Sequence, residues 1–288
     1  MKIIKSPYNY VGGKNRLIEQ ILPYFPNEIR YFVDLFGGGF TVGLNTLKRS
    51  DIVIYNEIDK NLVEFYKYLS SNKLEDIITD IEQIILENKL SKFSKEEFYL
   101  FREKFNTNEK YKTPLHFYVL ATHSFNYAIE YDSKGNFNMS SGATRSSFNK
   151  SIKKKLILSI EEIQKNNIIF SNTSFEKLKI DKFNSNDFIY MDPPYLATGR
   201  TGYAKHWSIE KEKELLYFID NLNDRNIKFA LSNVLRDKGK VNQLLIDWSK
   251  KYNTYHLNFD YSNSNHQILN KDLPTDEVLI TNFIKCIQ

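Results

Sequence analysis

Seven short runs of apolar, β-branched and aromatic residues recur along the 288-residue chain, and helical patterns separate them. The predicted strands are residues 31–35, 51–55, 167–171, 187–191, 227–231, 254–260 and 277–282. Several are almost wholly apolar, which is expected of parallel strands that are covered on both faces. The predicted helices are residues 15–22, 41–48, 60–69, 209–221 and 240–250, and Ser208 is a plausible N-cap. This alternation predicts an α/β fold with a doubly wound, mostly parallel seven-stranded sheet.

The region from residue 71 to residue 165 departs from the alternation of strands and helices. Charged helical segments come first, and a polar stretch follows in which Ser133 to Asn136 predicts a hairpin turn between Tyr131 and Phe137. We interpret the region as an insertion that carries recognition, and a solvated helical cap without a ligand is the alternative. Residues 1–70 and 166–288 are then expected to form the main domain around the sheet.

Composition and charge narrow the class of protein. The chain has no run of about 18 apolar residues, as a membrane span requires, and its first residues lack the apolar stretch of a signal peptide. A single cysteine, Cys286, and five histidines without a His-x-x-x-His pair argue against disulfides and a metal site. We therefore expect a cytoplasmic protein with no metal. The net charge of +5 is compatible with an anionic partner.

The strongest chemical signal is the tetrapeptide Asp192-Pro193-Pro194-Tyr195, which directly follows the predicted strand 187–191. This position puts it at the carboxyl edge of the sheet, where ligands of open α/β folds bind. The prolines hold the segment extended, so that the Asp192 carboxylate and the Pro193 carbonyl can accept hydrogen bonds from one donor. Two such acceptors would localise the lone pair of an exocyclic base amine, while the Tyr195 ring stacks on the base. The alternative is a rigid turn with an acidic cap.

Three weaker motifs lie at strand ends or before a helix. The first predicted strand runs into FGGGF (Phe36 to Phe40), whose glycines would let backbone N–H groups approach a ligand. Glu57 follows the second strand, where an acid can accept hydrogen bonds from two ribose hydroxyls. The sequence YVGGK (Tyr10 to Lys14) could fold over a nucleoside and supply one cation to its carboxylate. Each motif also has a plain interpretation, as a tight turn, a surface acid or a chance grouping.

Taken together and in this order, the motifs resemble those of the Dam-type, D12-class DNA adenine-N6 methyltransferases of the α group, over nearly the whole chain. The resemblance implies a class I methyltransferase fold, S-adenosylmethionine as cofactor and double-stranded DNA as substrate. It further implies methyl transfer to adenine N6 by base flipping and direct displacement. The implied catalytic residues are Asp192, Pro193, Pro194 and Tyr195. The implied cofactor-binding residues are Tyr10, Gly13, Lys14, Asp34, Phe36, Gly37, Gly39, Glu57, Ser174, Phe175 and Asp192.

Two positions depart from the family pattern. Ser174-Phe175 stands where many members have Asp-Phe, so the contact with the cofactor adenine falls to a hydroxyl or to the backbone. Glu130 stands where GATC-specific members have an arginine suited to guanine. Because a glutamate carboxylate can only accept hydrogen bonds, we expect a target other than GATC.

Further residues of the insertion are candidates for DNA contacts, because polar hairpin side chains can read base edges while cations neutralise phosphates. The predicted DNA-binding residues are Asn126, Glu130, Lys134, Asn136, Asn138 and Arg145. Residues 199–207, with their cations and aromatic rings, are predicted to clamp DNA or the flipped base. In the alternative interpretation all of these are ordinary surface residues.

Other functions stay open at this point. RNA adenine is an alternative substrate, whereas methyltransferases of protein glutamine typically have asparagine in place of Asp192. A catalytically silent DNA-binding relative and a regulator that binds the cofactor without DNA are the non-enzyme alternatives. The resemblance is compatible with a restriction–modification pair, in which a cognate restriction endonuclease is the partner, and with an orphan or phage methylase.

Overall fold

The computed structural model describes residues 3–8, 10, 12–198, 207–257 and 275–284. The strands are β1 (Ile29–Asp34), β2 (Ser50–Asn56), β3 (Ile168–Ser171), β4 (Phe188–Met191), β5 (Lys228–Asp237), β6 (Lys240–Val241), β7 (Asn253–Leu257) and β8 (Asp276–Thr281). The α-helices are α1 (Ile18–Ile21), α2 (Thr41–Thr46), α3 (Lys60–Ser71), α4 (Leu74–Glu87), α5 (Lys95–Thr107), α6 (Pro114–His123), α7 (Lys150–Lys165), α8 (Ile209–Asp224) and α9 (Gln243–Ser249).

The strands form one sheet in the order β3-β2-β1-β4-β5-β8-β7, and β6 pairs with β5 alone. Strands β1 to β5 pair with one another in parallel, and β8 runs antiparallel between β5 and β7. The chain moves outward from β1 to β3 and then returns to place β4 on the other side of β1. This reversal is the switch point at which ligands of doubly wound sheets bind. The structure confirms the predicted fold class.

Several predicted elements differ from the structure in their bounds, and the predicted strand 227–231, for example, extends to Asp237 as β5. Residues 240–250 were expected to be one helix, but Lys240 and Val241 pair with Asp237 and Arg236 as β6. The turn between them has positive φ at Lys238 (47°) and Gly239 (85°), which suits a tight hairpin, so α9 begins only at Gln243.

The predicted helix 15–22 is also divided. It consists of a 3-10 turn over Lys14–Arg16, the short α1, and a second 3-10 turn over Leu22–Tyr24. Pro23 cannot donate the backbone hydrogen bond that would continue the helix. The predicted N-cap is confirmed, because the Ser208 side chain accepts a hydrogen bond from the Lys211 N–H. Residues 258–260 of the predicted strand 254–260 lie outside the described residues.

Apolar side chains cover both faces of the sheet. Successive residues of β1 alternate between the two cores, with Phe32 in one and Val33 in the other, as the strand period requires. The core that contains Phe32 continues into helices α3 to α7, where the rings of Phe65 and Tyr118 stack at 4.7 Å between centroids. Helices α6 and α7 therefore pack on α3, which in turn contacts the sheet at β3. None of the helices described is long and apolar enough to cross a membrane.

Candidate active site

Three carboxylates predicted to bind ligands lie at the carboxyl ends of three adjacent strands. Asp34 is the last residue of β1, and it pairs in register with Tyr55 of β2 and Tyr190 of β4. Glu57 and Asp192 directly follow the ends of β2 and β4. The structure thus brings these distant parts of the sequence to the switch point of the sheet.

Lys14 is the centre of a buried cluster, which we call the Lys14 cluster and which consists of Lys14, Asp192, Tyr195 and Glu277. The Lys14 Nζ lies 2.8 Å from Asp192 Oδ2 and 3.6 Å from Glu277 Oε1. It also donates to the Tyr195 hydroxyl at 2.6 Å and to the Gly12 carbonyl at 3.1 Å. The Tyr195 hydroxyl in turn donates to Asp192 Oδ1 at 2.7 Å. The Lys14 side chain is only 3% exposed and that of Asp192 17%.

The turn before α1 delivers Lys14 into this cluster. Gly12 has a φ of 79°, which glycine adopts readily, and the Gly13 N–H donates to the Tyr10 carbonyl at 3.0 Å. A Cβ at Gly13 would lie 2.9 Å from that carbonyl oxygen. The sequence suggested that Lys14 meets the carboxylate of a cofactor, but in the structure its ammonium is bonded to the tetrapeptide. Val11 lies outside the described residues.

The charge state of Asp192 depends on Lys14. Burial raises the pKa of the Asp192 carboxyl, and the Lys14 ammonium and the Tyr195 hydroxyl oppose this rise. The nearby carboxylate of Glu277 adds to it. An isolated buried carboxylate would tend to become neutral, so Lys14 is the group that favours its ionised form.

The glycine turn after β1 is packed against two tyrosine rings. A Cβ at Gly37 would lie 2.3 Å from Cε2 of Tyr55, and a Cβ at Gly38 would lie 2.9 Å from Cε1 of Tyr10. The N–H groups of Gly37 and Gly38 donate to the Asn56 carbonyl and to Glu57 Oε2. Glycine is therefore required for close side-chain packing. These two N–H groups do not point to a ligand as the sequence suggested.

The Glu57 carboxylate is held by two backbone donors. The N–H of Gly38 donates to Oε2 at 2.8 Å, and the N–H of Asp59 donates to Oε1 at 3.0 Å. Asn172, which follows β3, fixes the same loop through the Glu57 carbonyl at 2.8 Å. Burial raises the pKa of Glu57 to about 7, although the two N–H donors oppose the rise. The lone pairs that remain on the carboxylate can accept hydrogen bonds from hydroxyl groups.

Asp34 is buried under the start of α2. Its Oδ2 accepts the Gly43 N–H at 2.9 Å. Burial raises the pKa of Asp34, and the nearby Asp192 and Glu57 carboxylates raise it further. Among the described residues, the site thus holds four acids and one lysine, whose ammonium contacts two of them, Asp192 and Glu277. Such an excess of acids favours a cationic ligand.

An aromatic group borders the site beyond β1 and β3. The rings of Phe36 and Phe175 lie 5.7 Å apart, and the Trp207 ring lies 5.9 Å from each of them. The Trp207 indole N–H donates to the buried Glu212 at 2.6 Å, which fixes this ring. The Ser174 hydroxyl donates to Glu176. A contact between Ser174 and the adenine of a cofactor would therefore have to use the backbone of Ser174, or its hydroxyl would have to turn away from Glu176.

The predicted DNA-binding residues lie on or beside the hairpin between α6 and α7. Asn126, Lys134, Asn138 and Arg145 are exposed, and Glu130 and Asn136 are half-buried. The Asn136 side chain donates to Asp132 at 3.1 Å and so supports the turn. Asn126 and the adjacent Tyr127 have φ of 54° and 58°, a backbone strain that is frequent at functional sites. Residues 199–206 of the predicted clamp lie outside the described residues.

Sequence reasoning missed three residues that the structure places beside the site. Glu277 joins the Lys14 cluster, and an acid directly before the apolar residues Val278 to Ile280 of β8 was the available signal. Asp59 and Tyr131 bond to each other at 2.9 Å, next to Glu57. That pairing has no signal in the sequence, because 72 residues separate the two positions.

The comparisons with known proteins agree on one family. Residues 10–265 match the family model described as D12 class N6 adenine-specific DNA methyltransferase. The type II methyltransferase M.FokI of Planomicrobium okeanokoites is 43% identical over 97% of this chain and 43% of its own length. The modification methylase StsI of Streptococcus sanguinis is 39% identical over 98% of this chain and 43% of its own length.

A third relative gives the same coverage. The modification methylase LlaI of Lactococcus lactis subsp. lactis is 30% identical over 97% of this chain and 43% of its own length. The chain thus spans less than half the length of these curated relatives.

Removal of the Lys14 cation should destabilise the fold in a pH-dependent way. In Lys14→Met the buried carboxylates of Asp192 and Glu277 lose their cation, and we expect a loss of about 3–5 kcal/mol in the free energy of unfolding near pH 8. The variant should raise the folded-state pKa of Asp192 further above its unfolded value. The loss should therefore shrink as the pH falls and the carboxyl becomes protonated.

Urea unfolding of the variant and the parent near pH 8 and near pH 5.5 measures both effects. Lys48→Met is the matched control, because Lys48 is 61% exposed and pairs with Glu162 at 3.4 Å on the surface. This control should change the free energy of unfolding by about 1 kcal/mol or less. If Lys14→Met loses the same free energy of unfolding at both pH values, Lys14 is not the group that keeps Asp192 ionised.

Proposed function

The chain belongs to the D12 class of N6 adenine-specific DNA methyltransferases, and from this we propose that it transfers a methyl group from S-adenosylmethionine to N6 of adenine in double-stranded DNA. The observation that carries the proposal is the position of Asp192. This carboxylate lies at the switch point of a class I methyltransferase sheet and already accepts a nitrogen donor, Lys14 Nζ, at 2.8 Å. An adenine amine is another nitrogen donor that the same oxygen can accept.

The residues of the site fit the proposed cofactor. S-adenosylmethionine has an ammonium, a sulfonium and a ribose with two hydroxyls, and the excess of acids at the site suits its positive charges. Glu57 would hold the ribose hydroxyls, and Phe36 and Phe175 would contact the adenine. Tyr10 and Gly13 of the N-terminal turn, together with Gly37 and Gly39 of the glycine turn, would enclose the methionine part. When bound, the cofactor supplies an electrophilic methyl group.

Asp192 would prepare the adenine amine for attack. The lone pair of N6 is delocalised into the ring. A hydrogen bond from the N6 amine to Asp192 Oδ2 would favour localisation of this lone pair on nitrogen. The Pro193 carbonyl is the proposed second acceptor, with Pro194 keeping the segment extended. Because burial raises the pKa of Asp192, its carboxylate is also suited to take up the proton that N6 loses.

The Lys14 cluster explains how Asp192 is held in place without the base. Tyr195 fixes Oδ1, and Lys14 donates to Oδ2, the acceptor that we assign to N6. Glu277 Oε1 lies 3.6 Å from Lys14 Nζ and would accept the ammonium when N6 takes its place. Exchange of one nitrogen donor for another leaves the Asp192 carboxylate hydrogen bonded throughout, and an ammonium held by Glu277 stays close to it.

The low exposure of Asp192 supports the proposal that the target base flips out of the duplex. Its side chain is only 17% exposed at the sheet edge, and a base that is stacked in a duplex cannot reach it. The target adenine would leave the stack at a cost of a few kcal/mol. Tyr195, whose ring lies beside the carboxylate, would then stack on the extruded base.

The chain would divide its work between two regions. Residues 1–70 and 166–288 would bind the cofactor and catalyse transfer, and residues 71–165 would recognise the target. M.FokI is named a type II methyltransferase, and StsI and LlaI modification methylases. We therefore propose a modification role in a restriction–modification system, with a cognate endonuclease as functional partner.

Transfer of labelled methyl from S-adenosylmethionine to unmethylated genomic DNA tests the proposed reaction. We expect N6-methyladenine confined to one short sequence, and loss of turnover in Asp192→Ala by at least about 10²-fold because N6 loses its acceptor. Asp181→Ala, at an exposed acid paired with Arg225, is the control and should keep the parent rate.

DNA binding by Asp192→Ala should survive, because the DNA contacts are assigned to the insertion. Methylation by this variant at the parent rate would remove Asp192 from the chemistry. Transfer to RNA in preference to DNA would favour the RNA alternative.

The proposed target differs from GATC, because Glu130 cannot donate to guanine O6 and N7. Duplexes in which GATC is the only adenine-containing site should be methylated far more slowly than genomic fragments. Sequencing of the modified bases gives the recognition sequence directly. Equal rates on GATC-only duplexes and on genomic fragments would contradict this assignment.

Cofactor affinity should fall below about pH 7, the folded-state pKa of Glu57. This pKa is raised above the usual 4.5, so ionisation of Glu57 costs folding free energy as the pH rises through 7. Ribose hydroxyls that donate to the carboxylate would offset this cost, and binding would weaken by up to about tenfold for each pH unit below 7.

Calorimetric titration with S-adenosylhomocysteine between about pH 6 and pH 8.5 measures this dependence. Glu57→Gln should bind the ligand weakly and lose most of the pH dependence. Glu82→Gln, at an exposed acid of α4 that pairs with Lys153, should retain the parent profile. An affinity of the parent that is independent of pH would contradict the role of Glu57.

A further inference from the structure

Tyr131 of the hairpin is hydrogen bonded to the loop that follows β2. Its hydroxyl donates to Asp59 Oδ2 at 2.9 Å and accepts from Asn61 Nδ2 at 2.8 Å. Asp59 is buried and Tyr131 is half-buried. Because the hydroxyl both donates and accepts, the orientation of the phenol is well defined.

The same loop carries the carboxylate assigned to the ribose. The Asp59 N–H donates to Glu57 Oε1 at 3.0 Å, and Glu57 Oε2 accepts the Gly38 N–H at 2.8 Å. Asp59 Oδ1 accepts the Asn61 N–H at 2.9 Å and caps α3. Hydrogen bonds therefore connect the glycine turn, Glu57, Asp59 and Tyr131 in one continuous path.

The hairpin is attached at two points, through Tyr131 to the loop after β2 and through Phe137 to α5, so a change at Tyr131 acts on the turn between them. Tyr131 bridges to Phe137, and the Asn138 N–H donates to the Glu130 carbonyl at 2.8 Å. Phe137 is buried, and both its N–H and its carbonyl bond to the Asn106 side chain of α5, at 2.9 and 3.0 Å. The turn and its exposed polar side chains, including Lys134, lie between these fixed points.

We propose that Tyr131 is a positioning residue that couples cofactor binding to DNA binding. This inference rests on the proposed function. Ribose hydroxyls that bond to Glu57 would order the loop that holds Asp59, and the Tyr131 hydroxyl transmits this order to the hairpin. The cofactor then raises the affinity for DNA, and by linkage DNA raises the affinity for the cofactor by the same factor.

The Tyr131→Phe variant removes the hydroxyl and keeps the ring. The duplex is the one that carries the sequence methylated by the parent, and its Kd is measured with and without saturating S-adenosylhomocysteine. The ratio of the two values is the coupling factor. We expect a coupling factor of about fivefold or more in the parent and a value near one in the variant.

Tyr111→Phe is the matched control, because Tyr111 also lies in the insertion and its ring packs on Phe101 and His116. It should retain the parent coupling factor. Titration of S-adenosylhomocysteine with and without the duplex should give the same factor as the DNA titration in each protein.

The outcomes separate this inference from the proposed function. A parent coupling factor retained in Tyr131→Phe, or no coupling in a parent that methylates DNA, would overturn the inference and leave the function intact. If Tyr131→Phe weakens DNA binding by the same factor with and without S-adenosylhomocysteine, the hydroxyl has a purely structural role. That result would also overturn the inference. A parent that binds neither S-adenosylhomocysteine nor DNA would overturn both.

Discussion

A carboxylate buried at a sheet edge needs a donor, and the contact between Lys14 and Asp192 supplies it. Lys14 Nζ and Asp192 Oδ2 lie 2.8 Å apart, and this ion pair joins the turn at residues 12–14 to the segment after β4. Glu277 of β8 adds a third part of the chain. The contact therefore holds the N-terminal turn over the carboxyl ends of the strands. Tyr10, in the same turn, packs on the glycines after β1 as a result.

The other acids of the site are also placed where burial disfavours their charge. Burial raises the pKa of Asp34, Glu57 and Asp192, so the folded chain holds its carboxylates in an environment that disfavours their charge. A cationic ligand with hydroxyl donors relieves this unfavourable arrangement. Ionising these buried carboxylates without such a ligand lowers the stability of the fold, a cost that is common at binding sites.

Much of this arrangement was predictable from the sequence, because strand ends and turn residues are local features. The apolar run before Asp192 and the strand before Glu57 predicted where both acids would lie. The β6 hairpin was missed because a helical pattern over residues 240–250 outweighed the turn at Gly239. The partners of Lys14 and Tyr131 were not predictable, since long-range side-chain pairing leaves no periodic signal. The structure also explains differently why glycines follow β1, because two tyrosine rings approach Gly37 and Gly38 closely.

The central claim is that Asp192 exchanges one nitrogen donor, Lys14, for another, the adenine amine. The most direct measurement is a crystal structure of the protein with S-adenosylhomocysteine and a duplex that contains its target. The account predicts an extruded adenine with N6 at hydrogen-bond distance from Asp192, and Lys14 Nζ displaced from Asp192 toward Glu277. An extruded adenine bound elsewhere, with Lys14 still donating to Asp192 Oδ2, would contradict it.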